Sequence, residues 1–162
     1  ANMCIAANGN VRVQKGTATC QASGKGSVAI ARGDGSVAIA TGGDHNKAIA
    51  RGDDSIAQAF DGDRNTAIAS GDRSIAAAVF GDRNTAIARR GSYAAATSGD
   101  RNRAIASGDR SGAEAGYGDR NTAIARGVRS LAQAFFADDA TAIAITDGCA
   151  ASAISSGQTD SC

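Results

Sequence analysis

The segment Gly62-Asp63-Arg64-Asn65-Thr66-Ala67-Ile68-Ala69 recurs unchanged at 81–88 and 118–125, and at 99–106 with Arg103 in place of Thr. A looser sister, Gly71-Asp72-Arg73-Ser74-Ile75-Ala76-Ala77-Ala78, lies between the copies and returns as 108–115. Ala-x-Ala triplets mark both kinds of half-unit, at alternating steps of about nine and ten residues. One step, Ala86 to Ala94, is shorter. Two half-units make a unit of about 19 residues, repeated about seven times, which is the signature of a solenoid.

The runs between Gly-Asp punctuation are five or six residues long. Ala favours helix, but runs this short do not sustain one, whereas short strands between tight turns fit them. The spacing therefore predicts an all-β, flattened two-sheet parallel β-solenoid of about seven coils of about 19 residues. Residues 1–24 are expected to form an N-terminal capping hairpin with its turn at Asn8-Gly9. Residues 25–148 are the repeats, and 149–162 a C-terminal coil and cap.

Alternation along a strand assigns the faces. In the first half-unit one parity holds Asn65, Ala67 and Ala69; the other holds Thr66, Ile68 and Ser70, and elsewhere Lys47, Arg51, Arg89, Arg103 and Arg126. Unpaired Lys and Arg cannot sit inside a thin roll, so Ala points in and Ile points out, against the usual habit of burying the larger residue. An all-Ala core brings the sheets closer than the usual spacing of about 10 Å, to roughly 7 Å. Asn46, Asn65, Asn84, Asn102 and Asn121 then stack at one turn. Ser36, Ser55, Ser74, Ser92, Ser111 and Ser130 stack at the other, where such side chains satisfy turn amides.

Four cysteines flank the repeats, and closely spaced CxxC pairs of the zinc type are absent. Their positions predict the disulfides Cys4–Cys20 and Cys149–Cys162, hence an oxidising, extracellular compartment and a secreted protein. The chain begins with Ala, as expected of a recombinant piece or of a mature form with its signal peptide removed. A net charge of +1 offers no pull on nucleic acid. No apolar run reaches membrane-spanning length.

The Asp of each Gly-Asp-Arg turn has an Arg beside it, which removes the need for calcium; the two form a self-neutralising charged column. Arg-Gly-Asp at 32–34 and 51–53 follows from the repeat and is not read as a recognition motif. The single histidine, His45, stands where other coils carry Arg, and no catalytic set can be assembled around it. No enzyme, cofactor or metal is expected. What remains is a face: the column Ile30, Ile49, Ile68, Ile87, Ile105, Ile124 and Ile143, beside Thr66, Thr85, Thr122 and Thr141. At about 4.8 Å per coil it makes a flat stripe roughly 30 Å long, and such a stripe marks a contact surface. A weaker apolar border, Phe60, Phe80, Tyr117, Phe135 and Phe136, lies near one turn.

Ser36-Val37-Ala38-Ile39-Ala40 and Asn65-Thr66-Ala67-Ile68-Ala69 resemble the Asn-Ser-Val-Ala-Ile-Gly repeats of trimeric autotransporter adhesin heads of the Hep/Hag type. That resemblance implies a β-roll filled by small residues, with Ile49, Ile68, Ile87, Ile105, Ile124 and Ile143 at subunit contacts. The repeat here is longer than that family's. The pattern is also similar to grass ice-recrystallisation inhibitors and flat insect antifreeze solenoids, which implies Thr and Ile columns that bind ice. The function expected is a structural or adhesive module that self-associates or binds an extracellular surface; ice binding by the same face is the alternative.

Overall fold

The computed structural model describes residues 2–52, 54–71, 73–90, 93–108, 110–127, 129–136, 138–145, 148, 150–154 and 156–162. Cys149, Ser92 and the Asp53 of the second Arg-Gly-Asp lie outside them, and with Cys149 the expected Cys149–Cys162 bridge. The described residues contain strands and turns and no helix. The chain opens with β1 (Met3–Ala7), β2 (Asn10–Lys15) and β3 (Thr19–Ala22). There follow β4 (Val28–Arg32), β5 (Val37–Ala40), β6 (Lys47–Arg51), β7 (Ile56–Ala59), β8 (Thr66–Ile68) and β9 (Ile75–Ala76). Next come β10 (Thr85–Ile87), β11 (Tyr93–Ala94), β12 (Arg103–Ile105), β13 (Thr122–Ala125), β14 (Leu131–Ala134), β15 (Thr141–Ala144), β16 (Ala150–Ala153) and β17 (Thr159–Ser161).

These strands stack as a parallel β-solenoid of about seven coils. The first sheet has the order β17-β15-β13-β12-β10-β8-β6-β4-β1-β2; β3, β5, β7, β9 and β11 form the second, and β14 pairs with β16. Neighbouring coils keep one register throughout: Ala48, Ala67, Ala86, Ala104, Ala123 and Ala142 align, as do the isoleucines one residue further on. The short step at Ala86 to Ala94 leaves this alignment intact on both sides, with Ile75 opposite Tyr93 and Ile87 opposite Ile105. The missing residue therefore falls in the turn and not in a strand.

The inward column is Ala in nearly every coil, fully buried, and the outward charges Lys47, Arg51, Arg89, Arg103 and Arg126 are exposed. The parity read from those charges is the one the fold adopts. Cys4 and Cys20 sit in the same inward columns, opposite Ala31 and Ala38, and form a disulfide across the core. Their Cα atoms, one in each sheet, are 5.6 Å apart, little more than half the usual sheet spacing of about 10 Å. Only small side chains fit such a gap. The bridge closes 16 residues, a constraint of about 3 kcal/mol in the chain-entropy model. Reduction is therefore expected to lower the unfolding free energy by about that amount, and denaturant titration with and without reductant checks it.

The hairpin appears, with Asn8 and Gly9 both at positive φ, 52° and 83°. β1 inserts antiparallel between β2 and β4, bringing Ile5 opposite Ile30. β3, expected within the cap, is already the first strand of the second sheet, parallel to β5. At the other end Asp160 takes an Ala position, opposite Ala142, and its Oδ2 accepts the Ser152 N–H at 2.8 Å.

Backbone polar groups are satisfied coil by coil. Buried asparagines form a continuous ladder: Oδ1 of Asn46, Asn65, Asn84 and Asn102 each accepts the backbone N–H of the next Asn at 2.8 Å. The amide of Asn84 donates to the carbonyls of Phe80 at 2.8 Å and Thr97 at 3.2 Å. The serine column works differently from the expected service to turn amides. Ser36 and Ser55 Oγ donate to the carbonyls of Arg32 and Arg51 at 2.6 Å, and each also lies against a carbonyl of the next coil, Gly52 or Gly71. The Arg32 and Arg51 carbonyls also accept the N–H of Gly52 and Gly71 at 3.1 and 2.8 Å, so each hydroxyl adds a second donor to a carbonyl's two lone pairs.

Candidate contact face

The first sheet gathers every residue of the expected contact face. Ile49, Ile68, Ile87, Ile105, Ile124 and Ile143 are consecutive ladder partners, each half-buried between its neighbours above and below. Two residues earlier in each strand, Thr66 and Thr85 are partners, as are Thr122 and Thr141; Arg103 stands between these pairs and Lys47 precedes them. Outward methyls and hydroxyls meet solvent on this face, together with the exposed charged side chains of Lys47 and Arg103. Constant register makes it a lattice of Thr and Ile positions, repeating once per coil.

Sequence reasoning missed two extensions. Ile5 adds a member to the Ile column, and Thr159 adds one to the Thr column beyond Thr141. Ile5 lies outside the repeat, and only the insertion of β1 brings it there, so no periodic signal points to it. Thr159 follows Thr141 by 18 residues, within the period, but the surrounding Gln158-Thr159-Asp160 lacks the Ala-x-Ala mark.

The outward face of the second sheet is less uniform. Val37, Ile56, Ile75 and Tyr93 align, and the chain then places Gly112 and Leu131 in the following coils. The Tyr93 hydroxyl donates to Glu114 Oε1 at 3.4 Å. Burial, and then the negative charge of Glu114, push the Tyr93 phenol above its ordinary range. At the nearby turn the rings of Tyr117 and Phe136 stack at 5.2 Å, and those of Phe135 and Phe136 at 5.7 Å.

A groove of about 650 Å³ follows the Gly-Asp-Arg turns, lined by five Asp from Asp44 to Asp119, the adjoining arginines and His45. Among the described residues no direct ion pair joins these Asp to the Arg beside them; the carboxylates bond to backbone. Oδ1 of Asp44 accepts the Lys25 N–H, and Oδ1 of Asp63, Asp82, Asp100 and Asp119 accepts the N–H of the preceding coil's Asp, all at 2.7–2.8 Å. Each carboxylate thus caps a turn amide. Arg64, Arg83, Arg101 and Arg120 adopt the left-handed conformation, with φ between 62° and 64°, a setting uncommon for Arg. Their backbone N–H groups bond to the previous coil's Asp carbonyls at 2.8–2.9 Å, which holds them there. Gly62 precedes them for a steric reason: at φ 114° a Cβ would lie 2.2 Å from the carbonyl oxygen of Gly81. The one ion pair among the described residues joins Arg120 Nε to Asp139 Oδ1 at 3.1 Å.

Among the described residues no group of three His, Cys, Asp or Glu is placed to hold a metal ion, and no helix is long and apolar enough to cross a membrane. No family model, curated protein or solved structure matches this chain, so the likeness to adhesin heads and ice-binding rolls rests on the repeat pattern alone.

Proposed function

We propose that the protein is a secreted, non-enzymatic structural or adhesive module that associates with further copies of itself through the Ile/Thr face of its first sheet. The observation that carries this reading is the Ile column, held in one register from Ile30 to Ile143 on an open sheet face. A lattice that repeats once per coil is complementary to a surface of the same period, and another copy carries such a surface. Burying two such faces removes apolar area from water at about 25 cal/mol per Å². Exposed Lys47 and Arg103 suit the rim of a protein interface. The Cys4–Cys20 disulfide fits an oxidising compartment.

Ice is the second reading. The aligned Thr and Ile columns favour it, since a flat, ordered array of methyls and hydroxyls suits a crystalline surface. The charges at Lys47 and Arg103 weigh against it, because they hold water in a different order on that plane.

Ile87→Lys separates the two. The side chain projects outward, so the isolated fold should keep its melting temperature. An ammonium trapped at a packed interface costs several kcal/mol, which weakens association by at least ~100-fold. Light scattering should then report a lower solution mass than for the wild type. An unchanged mass combined with loss of ice-crystal shaping would replace self-association by ice binding.

A further inference from the structure

The two rims of the flattened roll differ in charge. The turns from the second sheet into the first, residues 23–27, 42–46, 61–65, 80–84, 98–102, 117–121 and 136–140, carry eight Asp against five Lys or Arg. The turns on the opposite rim, residues 14–18, 32–36, 51–55, 70–74, 89–92, 107–111, 126–130 and 145–149, carry nine Lys or Arg against six Asp. With the outward charges at the ends of the first-sheet strands counted alike, Lys47 and Arg103 on the first rim as Arg32 and Arg51 on the second, the first rim is acidic by one charge and the second basic by three.

Both rims are ordered columns. On the acidic rim the Asp column advances one residue per coil, each carboxylate fixed by a backbone N–H at 2.7–2.8 Å. On the basic rim Arg73, Arg90, Arg110 and Arg129 advance one per coil, all at φ between 55° and 66°. The same coils generate both columns, so their spacings match. The chain also crosses the rims in opposite senses. On the acidic rim Asp precedes Arg on the way from the second sheet to the first. On the basic rim the sequence keeps the same Gly-Asp-Arg order at 71–73 and 108–110, running from the first sheet to the second, with Arg90 and Arg129 at the same Arg position. The acidic rim's Asp column and the basic rim's Arg column therefore both lie toward the second sheet.

We propose that copies of the chain also pack side by side with axes parallel, the basic rim of one against the acidic rim of the next. Simple translation sets Asp columns against Arg columns, coil for coil. The contact is heterologous, so it does not close on itself and extends into a flat raft, with every Ile/Thr face on the same side. Single exposed ion pairs contribute little, but here the pair recurs with each coil and forms a network. This contact uses a surface separate from the Ile/Thr face and depends on ionic strength, which the apolar face does not.

The experiment uses Ile87→Lys protein, in which the face contact is removed. Its mass is measured by sedimentation at about 0.01 M and about 1 M salt, where the Debye length falls from about 30 Å to about 3 Å. The mass should at least double at low salt and return to the 16.0 kDa monomer at high salt. Adding Arg73→Glu, Arg110→Glu and Arg129→Glu should leave a monomer at both. So should adding Asp63→Asn, Asp82→Asn and Asp100→Asn, which remove charge and keep the oxygen that caps each amide. Mixed, these two variants should form one-to-one pairs, because each retains the rim that the other lacks. Circular dichroism confirms that each variant is folded. A monomer at low salt, low-salt association that survives in both variants, or a mixture that forms no pairs would each overturn the proposal. Capture of a low-salt monomer by a sulfated polysaccharide would assign the basic rim to polyanions instead. Failure of the Ile/Thr face reading shows elsewhere, as a high-salt mass that Ile87→Lys does not change.

Discussion

Ala86→Leu is expected to cripple the fold. Ala86 is fully buried, in register between Ala67 and Ala104. The opposing sheet is close enough at its first coil for Cα atoms to stand 5.6 Å apart. Leu adds three carbons where no void exists, and in a packed core overfilling costs about 1–3 kcal/mol. Here the neighbours above and below are also Ala on strands held by continuous ladders, so the excess volume can only separate the sheets. The upper end of that range applies, which for a chain of this size lowers the melting temperature by about 6–12 °C. Thermal unfolding followed by circular dichroism checks it. Ile87→Lys, one residue away and outward, should change the melting temperature by far less. A silent Ala86→Leu would mean that the core is not closed at this coil.

Asn84→Ala should be at least as damaging, for a different reason. Asn84 is fully buried, and its side chain serves three backbone groups: it accepts the Asn102 N–H at 2.8 Å and donates to the carbonyls of Phe80 and Thr97. Ala leaves the N–H with no partner in a space water cannot enter. An orphaned buried donor costs about 1–3 kcal/mol. With the two carbonyl bonds also lost, about 3–4 kcal/mol is expected for the whole change. The exposed Asn10 on β2 makes only a local bond to the Asn8 carbonyl at 3.3 Å, so Asn10→Ala should cost under about 0.5 kcal/mol. Urea titration of the two variants should show this gap; equal losses would mean that the Asn column is not what holds the turns.

The repeat and its facing were legible because two independent patterns agree. Gly-Asp punctuation sets the coil length. The outward Lys and Arg positions decide the parity against the ordinary preference for burying Ile over Ala. Cys4–Cys20 was legible because only the staple explains a pair placed before the repeats. Other features depend on contacts between coils that no single coil encodes. The Asp carboxylates read as partners of the Arg beside them, yet a carboxylate in the turn reaches the N–H of the preceding coil's Asp more directly. Left-handed Arg64, Arg83, Arg101 and Arg120 carry no sequence signal, since Arg has no preference for that conformation; the interlocking turn bonds impose it. The serine column was expected to serve turn amides and instead donates to carbonyls, those of Arg32 and Arg51 in its own coil and of Gly52 and Gly71 in the next. The face was legible as columns, while its extension to Ile5 required an antiparallel strand inside an otherwise parallel sheet.

The most direct test of the contact face places one change on each sheet. Ile87 and Ile75 are both outward, half-buried isoleucines, Ile87 in the first sheet and Ile75 in the second. Light scattering of Ile87→Lys and Ile75→Lys at equal concentration and about 1 M salt, where rim charges are screened, compares the faces alone. Ile87→Lys should fall to the 16.0 kDa monomer while Ile75→Lys keeps the wild-type mass. Equal masses for the two variants, or loss of association in Ile75→Lys alone, would contradict the assignment of the Ile/Thr face as the surface through which the protein works.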